Sequence, residues 1–218
     1  MAAMTRFVTF TATLAALVVL SSPATAGPPL ICHPFAIGGE PQLPWGGGPD
    51  WNSPDQDYDI HELTADTLNL LSADAPVLAR MENLRRATIY ATSDMQVAGE
   101  FLSAVLARTA ATPESDVPAL AWFDAGYLLE TFKQYGLTQE WGMVPGGSPA
   151  VNMLPKNLRA IDGYALVEKA IAGTKESRAD MEYAASLMVR DSAVSAAHRA
   201  RAAAGATHGS LLAANLAR

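Results

Sequence analysis

Along most of the chain the apolar positions recur every three or four residues, the period of an amphipathic helix. Val77, Met81, Leu84, Thr88 and Ala91 follow one another at spacings of 4, 3, 4 and 3, predicting a helix that starts at Pro76, suited to a first turn, and runs to about Ala91. Val97, Phe101, Ala104, Val105 and Arg108 predict another, ending near Ala110 and opened by Ser93 with Gln96 three residues on. Only Thr92 and Ser93 separate the two, so they should form an antiparallel αα-hairpin. Upstream, Asp59-x-x-Glu62 is a capping-box pattern ahead of Leu63, Thr67, Leu70 and Leu71. Downstream, a helix is predicted from around Asp116–Pro118 to Tyr135, with Gly136 as its C-terminal cap. After it, a stretch of about 20 residues that holds Gly142, Pro145, Gly146, Gly147, Pro149 and Pro155 is the longest internal loop. Helices over about Arg159–Ala172 and Arg178–Arg190, hinged at Gly173-Thr174, and over Ser192–Ala204 complete the set.

Both ends depart from this period. Arg6 precedes an uncharged apolar run from Phe7 to Leu20, and Ala24-Thr25-Ala26 is a small-x-small processing site. The run is 14 residues long and stops at Ser21, Ser22 and Pro23, short of the roughly 20 that a spanning helix needs. Residues 1–26 are therefore expected to be a signal peptide, and the chain to be exported to the periplasm or the medium. Residues 27–58 carry Pro28, Pro29, Pro34, Pro41, Pro44, Pro49 and Pro54, which break helices and central strands. With Ile31, Phe35, Ile37, Leu43, Trp45 and Trp51 this segment is too apolar for a free linker, so it should be an extended arm lying across the helical body, residues 59–205. From Asp191 onward 11 of 28 residues are alanine, which leaves little area for docking and predicts a frayed tail over residues 206–218.

Charge narrows the partners. Loss of Arg6 with the leader takes the net charge from −7 to −8, and no basic cluster is denser than Arg85-Arg86, which argues against nucleic acid or an anionic lipid surface. After the leader no hydrophobic run approaches membrane length. Cys32 is the single cysteine and cannot close an internal disulfide.

Ala87-x-x-Tyr90 and Gly99 put a small residue, an aromatic three later and a small residue nine beyond that on consecutive helices, and in this they resemble the tetratricopeptide repeat (TPR). Ala125 to Leu128, then Ala185, Met188, Ala197 and Ala204, repeat the small-then-large part without the aromatic, and the Trp and Gly signature of the family is missing. The resemblance covers roughly residues 76–205 and implies an all-α fold of antiparallel helix pairs stacked as a short TPR-like solenoid. The pairs would be the second helix with the third, the fourth with the fifth and the sixth with the seventh. It further implies a concave groove for an extended peptide, lined by the first helix of each pair. Asn83, Arg86 and Tyr90 share one side of the second helix, and Asp124, Tyr127 and Thr131 repeat the pattern on the fourth, which makes Asn83, Arg86, Tyr90, Asp124 and Tyr127 the candidate binding residues. An ordinary solvated helix side is the plainer explanation of the same spacing. The opening Gly27-Pro28-Pro29-Leu30-Ile31-Cys32-His33-Pro34-Phe35 resembles the start of exported bacterial proteins of unassigned activity.

Signals for chemistry are thin. Cys32-His33 joins two soft ligands and is the candidate for zinc or copper, provided His61, His198 or His208 folds back onto the arm; otherwise the thiol packs as a small hydrophobe. Asp55-x-Asp57-x-Asp59 with Asp66 lacks the turn glycine and terminal Glu of a calcium loop. Gly46-Gly47-Gly48 and Gly146-Gly147 lack the Lys-Ser/Thr of a phosphate loop, and His61-Glu62 lacks the second histidine of a zinc protease. No cofactor is implied. The chain is expected to be an exported, non-catalytic protein- or peptide-interaction module; the alternative is a small metal- or thiol-dependent protein, possibly an enzyme, that uses Cys32 and His33.

Overall fold

The computed structural model describes residues 30–48, 51–110, 113–140 and 154–218, with the side chains of 137–140 left aside. The leader and most of the Gly/Pro loop lie outside the described residues. All regular structure among those described is helical. The helices are α1 (Leu63–Leu70), α2 (Val77–Ala91), α3 (Met95–Ala107), α4 (Ala119–Glu140), α5 (Lys156–Arg159), α6 (Gly163–Gly173), α7 (Arg178–Met188), α8 (Ser192–Gly205) and α9 (Leu211–Leu216), with 3₁₀ turns at Leu30–Cys32, Ile60–Glu62 and Glu114–Asp116. No helix among the described residues is long and apolar enough to cross a membrane.

Short polar side chains set where the helices begin. Asp94 opens α3 by accepting from the Gln96 amide at 2.7 Å and the Val97 amide at 3.1 Å. Ser93, the cap expected from the sequence, donates to the Tyr90 carbonyl at 2.7 Å and so closes α2; the tighter turn leaves the cap to its neighbour. Asp162, Asp191 and Ser210 cap α6, α8 and α9 in the same way. Asp59 accepts from the His61 amide at 3.0 Å, which starts the 3₁₀ turn ahead of α1 rather than α1 itself. Gly136 does not end α4, which runs on to Glu140. A glycine at a helix end stops it only if the next residues leave the helical path.

The largest helix interfaces are α4 on α6 and α7 on α8, followed by α2 on α4. Every residue of α2 except Arg86 is buried, so α2 is the central rod, with α4 on one side and the arm on the other. The arm packs as the sequence predicts: Leu30, Ile31, Phe35, Ile37 and Leu43 are buried in one core with Leu84, Phe101, Tyr127 and Tyr183. Each such side chain is worth about 1.5–3 kcal/mol in burial. The C-terminal residues differ from expectation. They form α9, whose Asn215 is 1% exposed and pairs with Ala36 of the arm, accepting its N–H at 2.9 Å and donating to its carbonyl at 2.8 Å. Two hydrogen bonds to the part-buried backbone of the arm, together with the burial of Leu212, dock a helix whose alanine-rich sequence offers little apolar area.

At the crossing of α4 and α6 the backbones approach glycine to glycine. A Cβ on Gly126 would press on the Gly163 carbonyl and lie 3.0 Å from Leu166 Cβ and from Val167 Cγ2. Gly99, on the exposed side of α3, has nothing within 4 Å of the same position. Gly99→Ala should therefore stabilise by about 0.5–1 kcal/mol through helix propensity. Gly126→Ala, despite the same propensity gain, should destabilise by roughly 1–3 kcal/mol through overpacking. Urea midpoints that move in the same direction for both variants would show that α4 and α6 do not meet at this point.

Candidate functional site

A proline-rich arm cannot form a ladder of its own, yet its buried N–H and C=O groups need partners. α2 supplies them from one side. Glu82 Oε2 accepts the Phe35 amide at 3.0 Å. Asn83 accepts the Leu43 amide at 2.9 Å and donates to the Pro41 carbonyl at 3.1 Å. Arg85 donates to the carbonyls of Ile31 at 3.2 Å and Trp51 at 2.9 Å, and Arg86 to that of Leu43 at 2.6 Å. Tyr90 donates to the Pro44 carbonyl at 2.7 Å and accepts the Asp55 amide at 2.9 Å. These contacts span the arm from Ile31 to Asp55, and every arm atom in them is a main-chain N–H or C=O.

The charges on α2 are fixed by one another. Glu82 takes Arg85 Nη2 at 2.8 Å and Arg86 Nε at 2.7 Å on one oxygen, and Arg85 Nε at 2.9 Å with the Phe35 amide on the other. Burial alone would raise its pKa. The hydrogen bond and charge of Arg85, the Phe35 amide and Arg86 outweigh burial and hold the carboxyl below its ordinary range. Trp45 of the arm covers both guanidinium groups, with Arg85 Cζ 5.1 Å and Arg86 Cζ 5.2 Å from its ring centre.

The five candidate binding residues are thus not on an open groove. Asn83, Asp124 and Tyr127 are 0% exposed and Tyr90 is 4% exposed, while the Arg86 side chain is 12% exposed. Asn83, Arg86 and Tyr90 do hold an extended segment, and that segment is the arm. Asp124 and Tyr127 sit in the interior of α4. Asp124 Oδ2 accepts Arg80 Nη1 and Arg108 Nη1, both at 2.7 Å, and those arginines also bond the Leu71 carbonyl at the end of α1. Tyr127 stacks on Phe123, and neither its hydroxyl nor Asp124 Oδ1 has a partner among the described residues. Helical spacing alone does not tell a solvated polar side from one covered by another part of the chain.

Among the described residues no further ligand joins Cys32 and His33. His33 Nε2 lies 3.3 Å from the Tyr183 hydroxyl, and burial together with the charges of Arg218, Arg199 and Arg85 pushes its pKa down. Burial pushes the Cys32 thiol up to about 11 against the pull of Arg85. Three nearby arginines and a protonated thiol make a poor setting for a divalent cation. Among the described residues no group of three or more His, Cys, Asp or Glu could hold a metal ion.

A second cluster went unread in the sequence. His198 Nδ1 meets Glu182 Oε2 at 2.6 Å and its Nε2 meets the Tyr164 hydroxyl at 2.6 Å; Tyr164 also donates to Glu168 at 3.0 Å, and Arg201 Nε reaches Glu182 at 2.8 Å. Burial and the hydrogen bond to Glu168 push the Tyr164 pKa up to about 12, so the phenol stays protonated at neutral pH. The chain of bonds clasps α6, α7 and α8 together and does not create a nucleophile. Its members come from three helices, so no local spacing marks it. An open cleft of about 210 Å³ lies between Glu40 and Pro41 of the arm and Asn69, Leu70, Ser72, Asp74, Ala75 and Ala79 around the α1–α2 turn.

Comparison of the chain with protein-family models, curated proteins and solved structures finds no match.

The ionised state of Glu82 makes a stability prediction. Because its carboxyl is held below the ordinary range in the folded chain, its contribution is present above the unfolded value, about pH 4.3, and is lost as pH falls through the folded value. Glu82→Gln should cost about 3–5 kcal/mol at neutral pH, since it leaves Arg85 buried without its counter-charge. It should also flatten the acid side of the urea-midpoint curve relative to wild type. Parallel curves from pH 6 to pH 2 would show that Glu82 is not ionised in the fold.

Proposed function

We propose that the protein is an exported, non-catalytic interaction module whose helical body holds extended protein or peptide segments. The observation that carries this reading is that α2 grips an irregular, proline-rich segment through main-chain atoms, using Asn83, Arg86 and Tyr90. Main-chain hydrogen bonds supply affinity and the pocket that buries Leu43 supplies selectivity, the combination a peptide-holding surface requires. A TPR-like arrangement belongs to the same reading and is supported by the extensive pairing of α4 with α6 and of α7 with α8. Export rests on the apolar run Phe7–Leu20 and the Ala24-Thr25-Ala26 site.

Intact-mass measurement of exported material should give a chain beginning at Gly27. Protein in that fraction still carrying Met1 to Ala26 would overturn the export reading. For binding, a displayed library of ten-residue peptides panned against the full protein should enrich a shared motif, and clones carrying it should not bind an unrelated helical protein of similar net charge. A final pool without a common motif would overturn the module reading.

A further inference from the structure

The stretch Glu40-Pro41-Gln42-Leu43-Pro44-Trp45 is held differently from the rest of the arm. From Leu30 to Ile37 the arm sinks Leu30, Ile31, Phe35 and Ile37 into the core and pairs Ala36 with Asn215. The stretch 40–45, a strap over α2, buries only Leu43, while Pro41, Gln42 and Pro44 are exposed. Beneath its first two residues runs the open cleft of about 210 Å³. Glycines bracket it. Gly38 has a φ of 61°, and neither Gly39 nor Gly47 would bring a Cβ within 4 Å of another group. Rotation at Gly39 and Gly47 would lift the strap and leave the buried side chains before it in place, breaking the bond of the Gly46 amide to the Ser53 carbonyl at 2.9 Å and the contact of Trp45 with Arg85, Arg86 and Tyr90.

Lifting it uncovers a socket for one leucine edged by Asn83, Arg86 and Tyr90. Asn83 offers one acceptor, used by the Leu43 amide, and the three side chains offer donors to the carbonyls of Pro41, Leu43 and Pro44. Prolines fit because α2 asks only for their carbonyls, and a proline-rich segment is already extended before it binds. An extended Pro-x-Leu-Pro satisfies each of these groups, with its leucine in the socket and the carbonyls of its first, third and fourth residues on the three donors.

We propose that this part of α2 is the docking site for a Pro-x-Leu-Pro segment of a partner protein, and that the strap is an occupant in cis which the partner displaces. The proposal rests on the reading of the chain as an interaction module. A second copy is the poorer donor of such a segment: two molecules of net charge −7 repel, and each would first have to empty its own site.

The test uses a fluorescent peptide with the sequence of residues 39–47, read by anisotropy against the full protein and against a strap-released variant, Leu43→Ser with Trp45→Ser. The released variant should bind saturably. Wild type should bind at least about tenfold more weakly, because a tethered segment competes at an effective concentration on the order of millimolar. Adding Asn83→Ala to the released variant should weaken binding by about tenfold or more. No saturation by a released variant with wild-type far-UV circular dichroism, equal binding by both proteins, or no effect of Asn83→Ala would each overturn the proposal. A concentration-dependent wild-type dimer that the strap substitutions abolish would assign the site to strap exchange between copies and overturn the choice of partner. If the released variant does not fold, hydrogen exchange in wild type decides. The Leu43 amide should exchange through a local opening at least about tenfold faster than the Phe35 amide, and equal protection of the two would overturn the proposal. Failure here, with a motif still enriched from the peptide library, would remove this site and leave the module reading standing.

Discussion

The structure depends on a debt of hydrogen bonds. An apolar arm interrupted by prolines gains by burial, but its main chain cannot satisfy itself in helix or sheet, and unpaired buried amides and carbonyls would cancel the gain. The amides of Phe35 and Leu43 and the carbonyls of Ile31, Pro41, Leu43, Pro44 and Trp51 all find side-chain partners on α2. Polar and charged residues on a helix that is almost wholly buried are therefore a condition of covering it with this arm.

Placing Glu82, Arg85 and Arg80 out of water has its own cost, and each is surrounded to offset it. Glu82 accepts from two guanidinium groups and one amide, and Arg80 spreads its donors over Asp124 and the carbonyls of Leu71, Ser72 and Ala75. Buried ion pairs of this kind add little net stability over well-packed apolar residues, but they are directional. They fix the rotation of α2 about its axis, so the Glu82 side meets the arm and the Arg80 side meets α1, α3 and α4. The far end of the chain is tied into the same arrangement. Asn215 of α9 pairs with Ala36, and Tyr183 of α7 bonds the Asn215 carbonyl at 3.3 Å. Arm, central helix and C-terminal helix thus form one hydrogen-bonded unit around the core.

For function, the consequence is that the surface best suited to hold a peptide is already holding one. The grip is uneven along the arm: side-chain burial anchors it from Leu30 to Ile37, whereas main-chain bonds, one buried leucine and the Trp45 ring on Arg85, Arg86 and Tyr90 hold it from Glu40 to Trp45. A region secured mainly by a few hydrogen bonds at the edge of the core opens before one secured by extensive packing. The clasp of Tyr164, His198 and Glu182 is a hydrogen-bonded link between helices, its phenol protonated.

Local period and local chemistry were legible along the chain alone. The spacing of Val77, Met81, Leu84, Thr88 and Ala91 marks α2 almost to the residue, the prolines rule regular structure out of the arm, and Ile31, Phe35 and Leu43 require the arm to be buried. Which side of α2 meets solvent was beyond the sequence's reach. Asn83, Arg86 and Tyr90 look the same in sequence whether they face water or another segment, because a polar side chain serves equally to contact solvent and to satisfy a buried backbone. The same holds for the tail, where one asparagine 179 residues from its partner docks a helix whose composition predicts fraying. It holds again for Tyr164, Glu182 and His198, brought together from three helices. Only tertiary structure decides these, since a hydrogen bond is set by distance and direction in space, and the pattern along a chain records burial far more faithfully than pairing.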